Sequence, residues 1–325
     1  MPPAETAPAG VRHVEVGEGE AGQRLDNFLL RILKGVPRTH VYRLLRKGEV
    51  RVNGRRARPD RRLENGDRVR LPPVRVAAEP GPRRVPESLL AQVRAALIHE
   101  DERILVLDKP SGLAAHGGSG LAFGAIESLR ADRPGAELEL VHRLDRDTSG
   151  VLVIAKDRGS LRLLHALLRE GEVSKSYLAL LKGRWNLGRK RIDVPLKTNL
   201  RQGGERVVKV HVEGKSAAST FEPLRRFGTR ATLVEIEIHT GRTHQIRVHA
   251  AYAGHPVAGD DKYGDRDFNK AMRAAGLQRM FLHAHRMEFT WPDTGRKCRI
   301  EAPLPADLAA LLEDLERREP PARSR

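Results

Sequence analysis

The chain has 325 residues, a formal net charge of +17 and a pI near 10.6, and this excess of positive charge favours a polyanionic partner, either nucleic acid or an anionic membrane surface. No apolar run approaches the roughly eighteen residues of a membrane span, and the first residues lack the pattern of a signal peptide, so we expect no membrane association. The single cysteine, Cys298, excludes an intramolecular disulfide and a cysteine-based metal cluster, which fits a cytoplasmic protein.

The first part of the chain is rich in Pro, Ala and Gly, and we expect residues 1–22 to be a disordered segment in which only residues 13–16 could form a short strand. Apolar residues at helical spacing then predict a helix over residues 24–33. A second helix is expected to begin near Thr39, the predicted N-cap, and to end at Gly48. Two Asn-Gly turns, each beside a short strand, follow this helix pair.

Positive charge is concentrated in this unit. Residues 24–71 contain fifteen Lys and Arg against five Asp and Glu, which gives +10 of the net +17. A solvated face normally mixes both signs, whereas this one hardly does, so we interpret it as a nucleic-acid-binding surface. The residues expected to make contact are Arg38, Arg43, Arg46, Lys47, Arg55 and Arg56.

The unit also resembles a known domain. It has the order helix, helix, strand, with Arg24-Leu25-Asp26 near the start, Arg-Lys-Gly-Glu-Val-Arg-Val-Asn-Gly at residues 46–54 and Gly-Asp-Arg-Val at residues 66–69. This pattern resembles the S4 RNA-binding domain. The resemblance implies structured RNA as the ligand, held through phosphate and shape contacts. The proline-rich residues 72–86 predict a semi-rigid linker after it.

The centre of the chain is the nonapeptide His-Arg-Leu-Asp-Arg-Asp-Thr-Ser-Gly at residues 142–150. Residues 136–141 alternate in polarity and residues 151–155 are all apolar, so both flanks suit strands and the nonapeptide is expected to be a loop at a sheet end. Such loops often carry catalytic groups. Asp145, with arginines one and two residues away, is expected to stay ionised at neutral pH. A purely structural loop of Arg and Asp ion pairs explains these residues equally well.

The remaining pattern predicts mostly strands with a few helices. We expect strands at residues 103–107, 175–181, 206–212, 216–224, 229–239 and 281–292, and helices at residues 159–169, from an N-cap at Thr243, and at residues 304–315. Because strands outnumber helices and often follow one another, we predict an α+β fold with a mixed, largely antiparallel sheet and flanking helices.

Several other chemistries are poorly supported. His244 and His249 are five residues apart, off the spacing of a zinc-binding helix, so we expect no metal site. Neither Ser111 nor Ser149 stands in the nucleophile elbow of a hydrolase. The glycine-rich residues 116–120 lack the pattern of a phosphate loop and are expected to be a flexible loop near the active site.

Four motifs carry a second resemblance. Asp-Lys-Pro-Ser-Gly at residues 108–112, the nonapeptide, Lys-Ser-Tyr at residues 175–177 and Gly-Arg-Thr-His-Gln-Ile-Arg at residues 241–247, in this order after an S4-like unit, resemble the RluA family of pseudouridine synthases. The likeness is greatest to the type that acts on large-subunit ribosomal RNA. It implies an isomerase without a cofactor, in which the N1–C1′ bond of uridine is cleaved, the base turns while bound, and C5 is joined to C1′.

The resemblance also assigns roles. Asp145 would be the essential residue, whether it attacks the sugar or the base covalently or removes a C2′ proton. A carboxylate beside the anomeric carbon suits cleavage of a glycosidic bond. Arg247 would be the ionic partner of Asp145, Tyr177 would lie against the uracil ring, and Arg143 would enter the RNA stack when the target base is extruded. Further RNA contacts are expected at Lys109, Arg242 and His244.

The expected partner is large-subunit ribosomal RNA or one of its assembly intermediates, and we expect a monomer. The alternative is a ribosome-assembly factor that binds RNA without catalysis. The predicted segments are a disordered segment at 1–22, an S4-like RNA-binding domain at 23–71, a linker at 72–86, a pseudouridine synthase catalytic domain at 87–318 and a charged tail at 319–325.

Overall fold

The chain forms two compact units, Met1–Arg84 and Val85–Arg325. The computed structural model describes residues 10–33, 35–74, 84–118, 121–202 and 205–318. Most of the predicted linker, the predicted charged tail and part of the predicted flexible loop at residues 116–120 therefore lie outside the described residues. Within the described residues, no helix has both the length and the apolar character needed to cross a membrane.

The first unit packs two helices on a small antiparallel sheet. Its elements are β1 (Arg12–Glu15), α1 (Leu25–Ile32), α2 (Arg38–Lys47), β2 (Arg51–Val52), β3 (Arg55–Arg56) and β4 (Arg68–Leu71). The strand order is β1-β4-β2-β3. Phe28 of α1 and Val41 of α2 are fully buried in one apolar cluster with Val52 and Val69 of the sheet. Both predicted helices are thus confirmed, and their basic residues lie on the other side from this core.

Two expectations for this unit are wrong. The disorder expected over residues 1–22 is wrong from residue 12 onward, because β1 pairs along its whole length with β4 and Val16 after it is buried in the core; the short strand expected at residues 13–16 is present there as β1. Thr39 is not the N-cap of α2. The helix begins one residue earlier, at Arg38, because the carbonyl of Pro37 already accepts from the amides of His40 and Val41 at 2.8 and 3.1 Å.

The second unit contains the remaining strands and helices. They are α3 (Glu87–Ala95), β5 (Leu97–Glu100), β6 (Ile104–Lys109), α4 (Ala125–Asp132), β7 (Glu139–Leu140), β8 (Ser149–Ala155), α5 (Arg158–Glu170), β9 (Ser174–Lys182), β10 (Lys190–Asp193), β11 (Leu196–Gln202), β12 (Glu205–Val210), β13 (Ala218–Phe227), β14 (Ala231–Ile238), α6 (Gln245–Tyr252), α7 (Arg266–Ala274), β15 (Leu282–Thr290), β16 (Lys297–Glu301) and α8 (Ala306–Arg317).

Ten of these strands form one sheet. Its main path is β10-β13-β14-β9-β15-β8-β6-β5, with β16 beside β15 and β7 beside β8, while β11 and β12 form a separate hairpin. Only the β8–β15 pair is parallel among the strands described. The predicted α+β fold with a mixed, largely antiparallel sheet is confirmed.

The centre of the sheet is buried on both faces, which explains the unbroken apolar run of β8. Leu152 and Ile154 pack in a cluster with residues of α3 and α4, whereas Val151 and Val153 pack in another with residues of α5. The expected strand over residues 136–141 is much shorter, since only Glu139 and Leu140 pair with β8.

Gly150, the last residue of the nonapeptide, lies where β8 pairs with β15. Its φ is +111°, and a Cβ added there would lie 2.2 Å from the carbonyl oxygen of Ala284. Only glycine allows both this backbone conformation and the close approach of the two strands. The end of the nonapeptide is thereby fixed against β15.

We predict that Gly150→Ala destabilises the protein by about 3 kcal/mol or more, because it adds an overpacking cost to the backbone strain of positive φ. Gly112→Ala is the matched control, since Gly112 has φ +87° but nothing within 4 Å of the added atom. Its loss should be about 1 kcal/mol. Urea unfolding measures both, and equal losses would contradict the account.

Candidate active site

Three of the four sequence motifs line one cleft of about 1010 Å³ in the second unit, and the fourth, Asp-Lys-Pro-Ser-Gly, contacts the nonapeptide loop. The nonapeptide loop contributes Asp145 to its wall, β9 contributes Tyr177, the turn before α6 contributes His244, and α6 itself contributes Arg247. The cleft continues between α4, β7 and α5. A cleft of this size can hold more than a single nucleoside.

The nonapeptide loop is held by its main-chain carbonyls. The amide of Thr148 donates to the carbonyl of Asp145 at 3.2 Å, and the amide of Gly112 donates to that of Arg146 at 2.9 Å. The Ser111 hydroxyl donates to the carbonyl of Asp147 at 2.8 Å. The Asp-Lys-Pro-Ser-Gly motif therefore serves as a support that fixes the backbone on which Asp145 stands.

Lys109 belongs to the same support. Its side chain is fully buried, and its Nζ donates to the carbonyls of Pro110, Leu113 and Arg146 at 3.0, 2.7 and 3.0 Å. Burial lowers the pKa of Lys109 to about 7, against the charges of Asp147 and Asp145, which act to raise it. A side chain enclosed in this way does not reach a polyanion, which corrects the prediction that Lys109 contacts RNA.

Asp145 faces two side chains from the α6 region, the guanidinium of Arg247 and the imidazole of His244, rather than its neighbours in sequence. Arg247 Nη1 lies 3.3 Å and His244 Nε2 lies 3.8 Å from Asp145 Oδ2, and the carboxylate is 27% exposed to the cleft. Arg146 instead pairs with Asp147 at 3.1 Å, and Arg143 is exposed. The expected closeness of Arg247 and Asp145 is present, while the arginines within the nonapeptide point elsewhere.

Arg247 has a second and stronger partner in Asp260. Its Nε and Nη2 donate to the two carboxylate oxygens of Asp260 at 2.7 and 2.8 Å, a bidentate geometry, and Asp260 is 1% exposed. The amides of Lys262 and Tyr263 also donate to Asp260, at 2.9 and 3.0 Å. Burial alone would raise the pKa of Asp260, but the hydrogen bonds and charge of Arg247 hold it below its usual value.

The turn before α6 is closed by Gln245. Its Oε1 accepts from the Thr240 hydroxyl at 2.6 Å and from the Arg242 amide at 3.1 Å, and its Nε2 donates to the carbonyl of Ala218 at 2.9 Å. Thr243 is not the N-cap, as had been expected. His244 takes that position with φ +54°, because the Gln245 side chain closes the turn.

Tyr177 and Lys175 lie on the same face of β9, two residues apart, and both line the cleft. Burial and the charge of Asp145 raise the pKa of Tyr177, which keeps its phenol neutral. Burial lowers the pKa of Lys175, and Lys175 makes no ion pair within the described residues. This part of the wall offers a neutral ring beside a cation.

Comparison with known proteins supports the family resemblance seen in the sequence motifs. The RNA pseudouridylate synthase family model matches residues 103–252, and the S4 domain model matches residues 23–69. The chain is 53% identical over 315 residues to proteins named "Ribosomal large subunit pseudouridine synthase C" from Salmonella typhi and Escherichia coli (strain K12), covering 96% of this chain and 98% of each relative. The chain belongs to the RNA pseudouridylate synthase family. The resemblance read from its motifs is confirmed.

Two solved human structures share the fold of this pseudouridylate synthase unit. "Human RNA Pseudouridylate Synthase Domain Containing 1" matches with a TM-score of 0.55 and 26% identity, covering 69% of this chain and 95% of that one. "Human RNA Pseudouridylate Synthase Domain Containing 4" matches with a TM-score of 0.57 and 24% identity, covering 70% and 96%. The latter supports the fold alone.

The structure gathers Asp145, Tyr177, Arg247 and His244 at this synthase's cleft, and their roles in the reaction stay predictions. The remaining predicted RNA contacts are all exposed, namely Arg143, Arg242, Arg38, Arg43, Arg46, Lys47, Arg55 and Arg56. Sequence reasoning missed Asp260, Tyr263 and Gln245. Of these, Gln245 stood inside a recognised motif, whereas Asp260 lies thirteen residues from its partner, beyond the reach of any helical or strand period.

We predict that Asp260→Asn lowers the free energy of unfolding by about 3–5 kcal/mol at pH 7, because it leaves Arg247 buried without its main counter-ion. Since the folded-state pKa of Asp260 is depressed, its contribution is present at neutral pH and is lost as the pH falls through that value. The gap between wild type and variant should therefore narrow on acidification.

Asp261→Asn is the matched control, because Asp261 is the next residue and its side chain is 81% exposed. It should change the free energy of unfolding by less than about 1 kcal/mol. Urea unfolding as a function of pH distinguishes the two variants, and equal effects would contradict the importance of the buried pair.

Proposed function

We propose that this protein converts specific uridines of large-subunit ribosomal RNA to pseudouridine, with Asp145 as the essential group. The observation that carries the proposal is the partly exposed carboxylate of Asp145, 3.3 Å from the buried Arg247, in a cleft that also presents Tyr177. The substrate is inferred from the printed name of the relatives, which align over nearly their whole length with this chain.

The chemistry needs a carboxylate and little else. Cleavage of N1–C1′ leaves the bonding electrons on uracil, which spreads the charge over its ring and carbonyl oxygens, so no separate acid is required at the leaving group. Asp145 either forms a covalent bond during this step or removes the C2′ proton. When C5 joins C1′, C5 loses its hydrogen and N1 gains one, so the reaction is an isomerisation without a cofactor.

The walls of the cleft suit an extruded nucleotide of an RNA strand. Tyr177 offers a neutral ring for the uracil, and Lys175 offers a partly buried cation that has no carboxylate partner among the described residues. A desolvated cation of this kind is stabilised by an anion brought by the ligand. The exposed Arg143 next to the cleft is suited to occupy the space that an extruded base leaves in the stack.

In this proposal, the first unit supplies an RNA-binding surface. The six basic residues predicted to contact RNA are exposed, and none forms an ion pair with a carboxylate in the described part of the unit. Unpaired surface cations are free to exchange their counterions for phosphates. We further propose that the protein acts as a monomer in the cytoplasm, where ribosomal RNA is made and modified.

We predict that Asp145→Asn lowers kcat by at least about 10³-fold while RNA affinity stays within a few-fold of wild type, because the change removes the reacting charge and almost no volume. Asp147→Asn is the matched control in the same loop, since Asp147 is half exposed and pairs with Arg146. Tritium release from RNA labelled at uridine C5 measures turnover. Wild-type turnover in the Asp145 variant would show that Asp147 or another group carries the chemistry, whereas no turnover in the wild type would favour the alternative of an RNA-binding assembly factor without catalysis.

A second prediction tests whether this basic surface of the first unit binds the RNA. Replacing Arg43, Arg46 and Lys47 with Gln should raise KM for folded ribosomal RNA fragments and reduce the slope of log KM against log salt by about 2, with kcat unchanged. The control replaces Arg266, Lys270 and Arg273, which are also exposed on a single helix. If the control raises KM as much as the α2 variant does, the effect comes from the net charge of the protein, and the proposal that α2 binds the RNA is wrong.

A further inference from the structure

Tyr263 lies outside every motif recognised in the sequence, yet it contacts two residues of the cleft region. Its hydroxyl accepts from the amide of Val208 at 2.9 Å and lies 2.8 Å from Nδ1 of His244. The guanidinium of Arg247 lies over its ring, 5.1 Å from the centroid. Tyr263 therefore joins β12, the N-terminus of α6 and the buried ion pair at one point.

The arrangement of these bonds favours one tautomer of His244. A phenol has a single hydrogen to donate. The Val208 amide already donates to the Tyr263 oxygen, so the phenol hydrogen is free for Nδ1 of His244. Nδ1 is then the acceptor, and the proton of the neutral imidazole stands on Nε2. Burial lowers the pKa of His244, against the opposing charge of Asp145, which favours this neutral form at pH 7.

The backbone holds His244 in an uncommon conformation. Its φ of +54° lies in the left-handed region, which among the described non-glycine residues is shared only with Asn53 in a tight turn. A histidine there costs of order 1 kcal/mol and persists only where its surroundings determine it. Here the Gln245 clamp and the Tyr263 hydroxyl supply that constraint. The result is an imidazole with a defined orientation.

Nε2 of His244 points to the reacting end of the cleft. It lies 3.8 Å from Asp145 Oδ2, which is beyond hydrogen-bond distance, and it has no hydrogen-bond partner in the described part of the chain. An N–H group beside the carboxylate is thus available to a ligand that reaches Asp145. Because the imidazole is neutral, it does not compete with the Arg247 cation for the Asp145 carboxylate, and its Nε2–H can donate a hydrogen bond to the ligand.

We propose that His244 is a catalytic residue that donates from Nε2–H to a carbonyl oxygen of the target uracil, and that Tyr263 is the positioning residue that fixes this tautomer. The inference rests on the proposed uridine isomerisation. As N1–C1′ breaks, negative charge develops on the uracil oxygens, and an oriented donor stabilises it there. No proton is transferred, so His244 remains neutral throughout. Removing a donor of this kind typically lowers kcat by about 10²–10³-fold.

The first test compares His244→Gln with His244→Asn. The amide nitrogen of Gln can occupy the place of Nε2, whereas the shorter Asn cannot reach it, although Asn tolerates positive φ best among non-glycine residues. We expect the Gln variant to keep kcat within about 10-fold of wild type, and the Asn variant to lose about 10²-fold or more with little change in KM. Wild-type kcat in the Asn variant, or equal losses in both, would overturn the proposal.

The second test needs no substrate. In protein labelled with ¹⁵N-histidine, long-range proton–nitrogen NMR spectra identify His244 by its absence in the Gln variant. We expect the Nε2–H tautomer at neutral pH in the wild type and in the control Tyr252→Phe, whose tyrosine is 61% exposed. In Tyr263→Phe we expect a tautomer mixture and a roughly 10-fold lower kcat. An Nδ1–H or doubly protonated His244 in the wild type would overturn the proposal.

These outcomes are separable from failure of the proposed function. If Asp145→Asn stays active, the assignment of the essential carboxylate fails whatever the histidine spectra show. If Asp145→Asn is inactive while His244→Asn turns over normally, the function stands and the role of His244 is refuted.

Discussion

The buried ion pair between Arg247 and Asp260 is the interaction on which the site depends. Burial of a guanidinium is costly unless its donors are matched, and Asp260 matches two of them at 2.7 and 2.8 Å while receiving two backbone amides itself. Arg247 thereby reaches the cleft with its Nη1 already oriented, 3.3 Å from Oδ2 of Asp145. The Arg247–Asp145 pair can therefore face the cleft, because the buried carboxylate of Asp260 offsets the desolvation cost of the Arg247 guanidinium.

On the wall formed by the nonapeptide loop, too, the groups that hold the backbone are distinct from the side chain that faces the cleft. The Asp-Lys-Pro-Ser-Gly segment fixes the carbonyls of the nonapeptide through Gly112, Ser111 and the buried Lys109, and Gly150 brings the end of the loop against β15. These groups act on the backbone and leave the Asp145 side chain open to the cleft. On one wall, paired strands and hydrogen-bonded loop carbonyls hold the backbone of Asp145. On the other wall, the bidentate Arg247–Asp260 pair holds the cation that faces it. Together they define the position of the Asp145 carboxylate.

The sequence could predict which residues meet at the cleft, because Asp145, Tyr177 and Arg247 stand in short motifs, and it could predict the fold class from the strand pattern. It could not predict Asp260 or Tyr263, whose partners are set by how the chain folds back after α6. It misjudged Lys109 because charge alone does not reveal burial. It misplaced the caps at Thr39 and Thr243 because, at those helix ends, a backbone carbonyl and the Gln245 side chain closed the turns that a hydroxyl was expected to close.

The central claim is that this protein makes pseudouridine in large-subunit ribosomal RNA. Nucleotide-resolution mapping of pseudouridine in that RNA, from a strain that lacks the gene and from the same strain carrying it on a plasmid, tests the claim most directly. The account predicts that a small set of pseudouridines disappears in the first strain and returns in the second. An unchanged set of pseudouridines in the strain without the gene would contradict it.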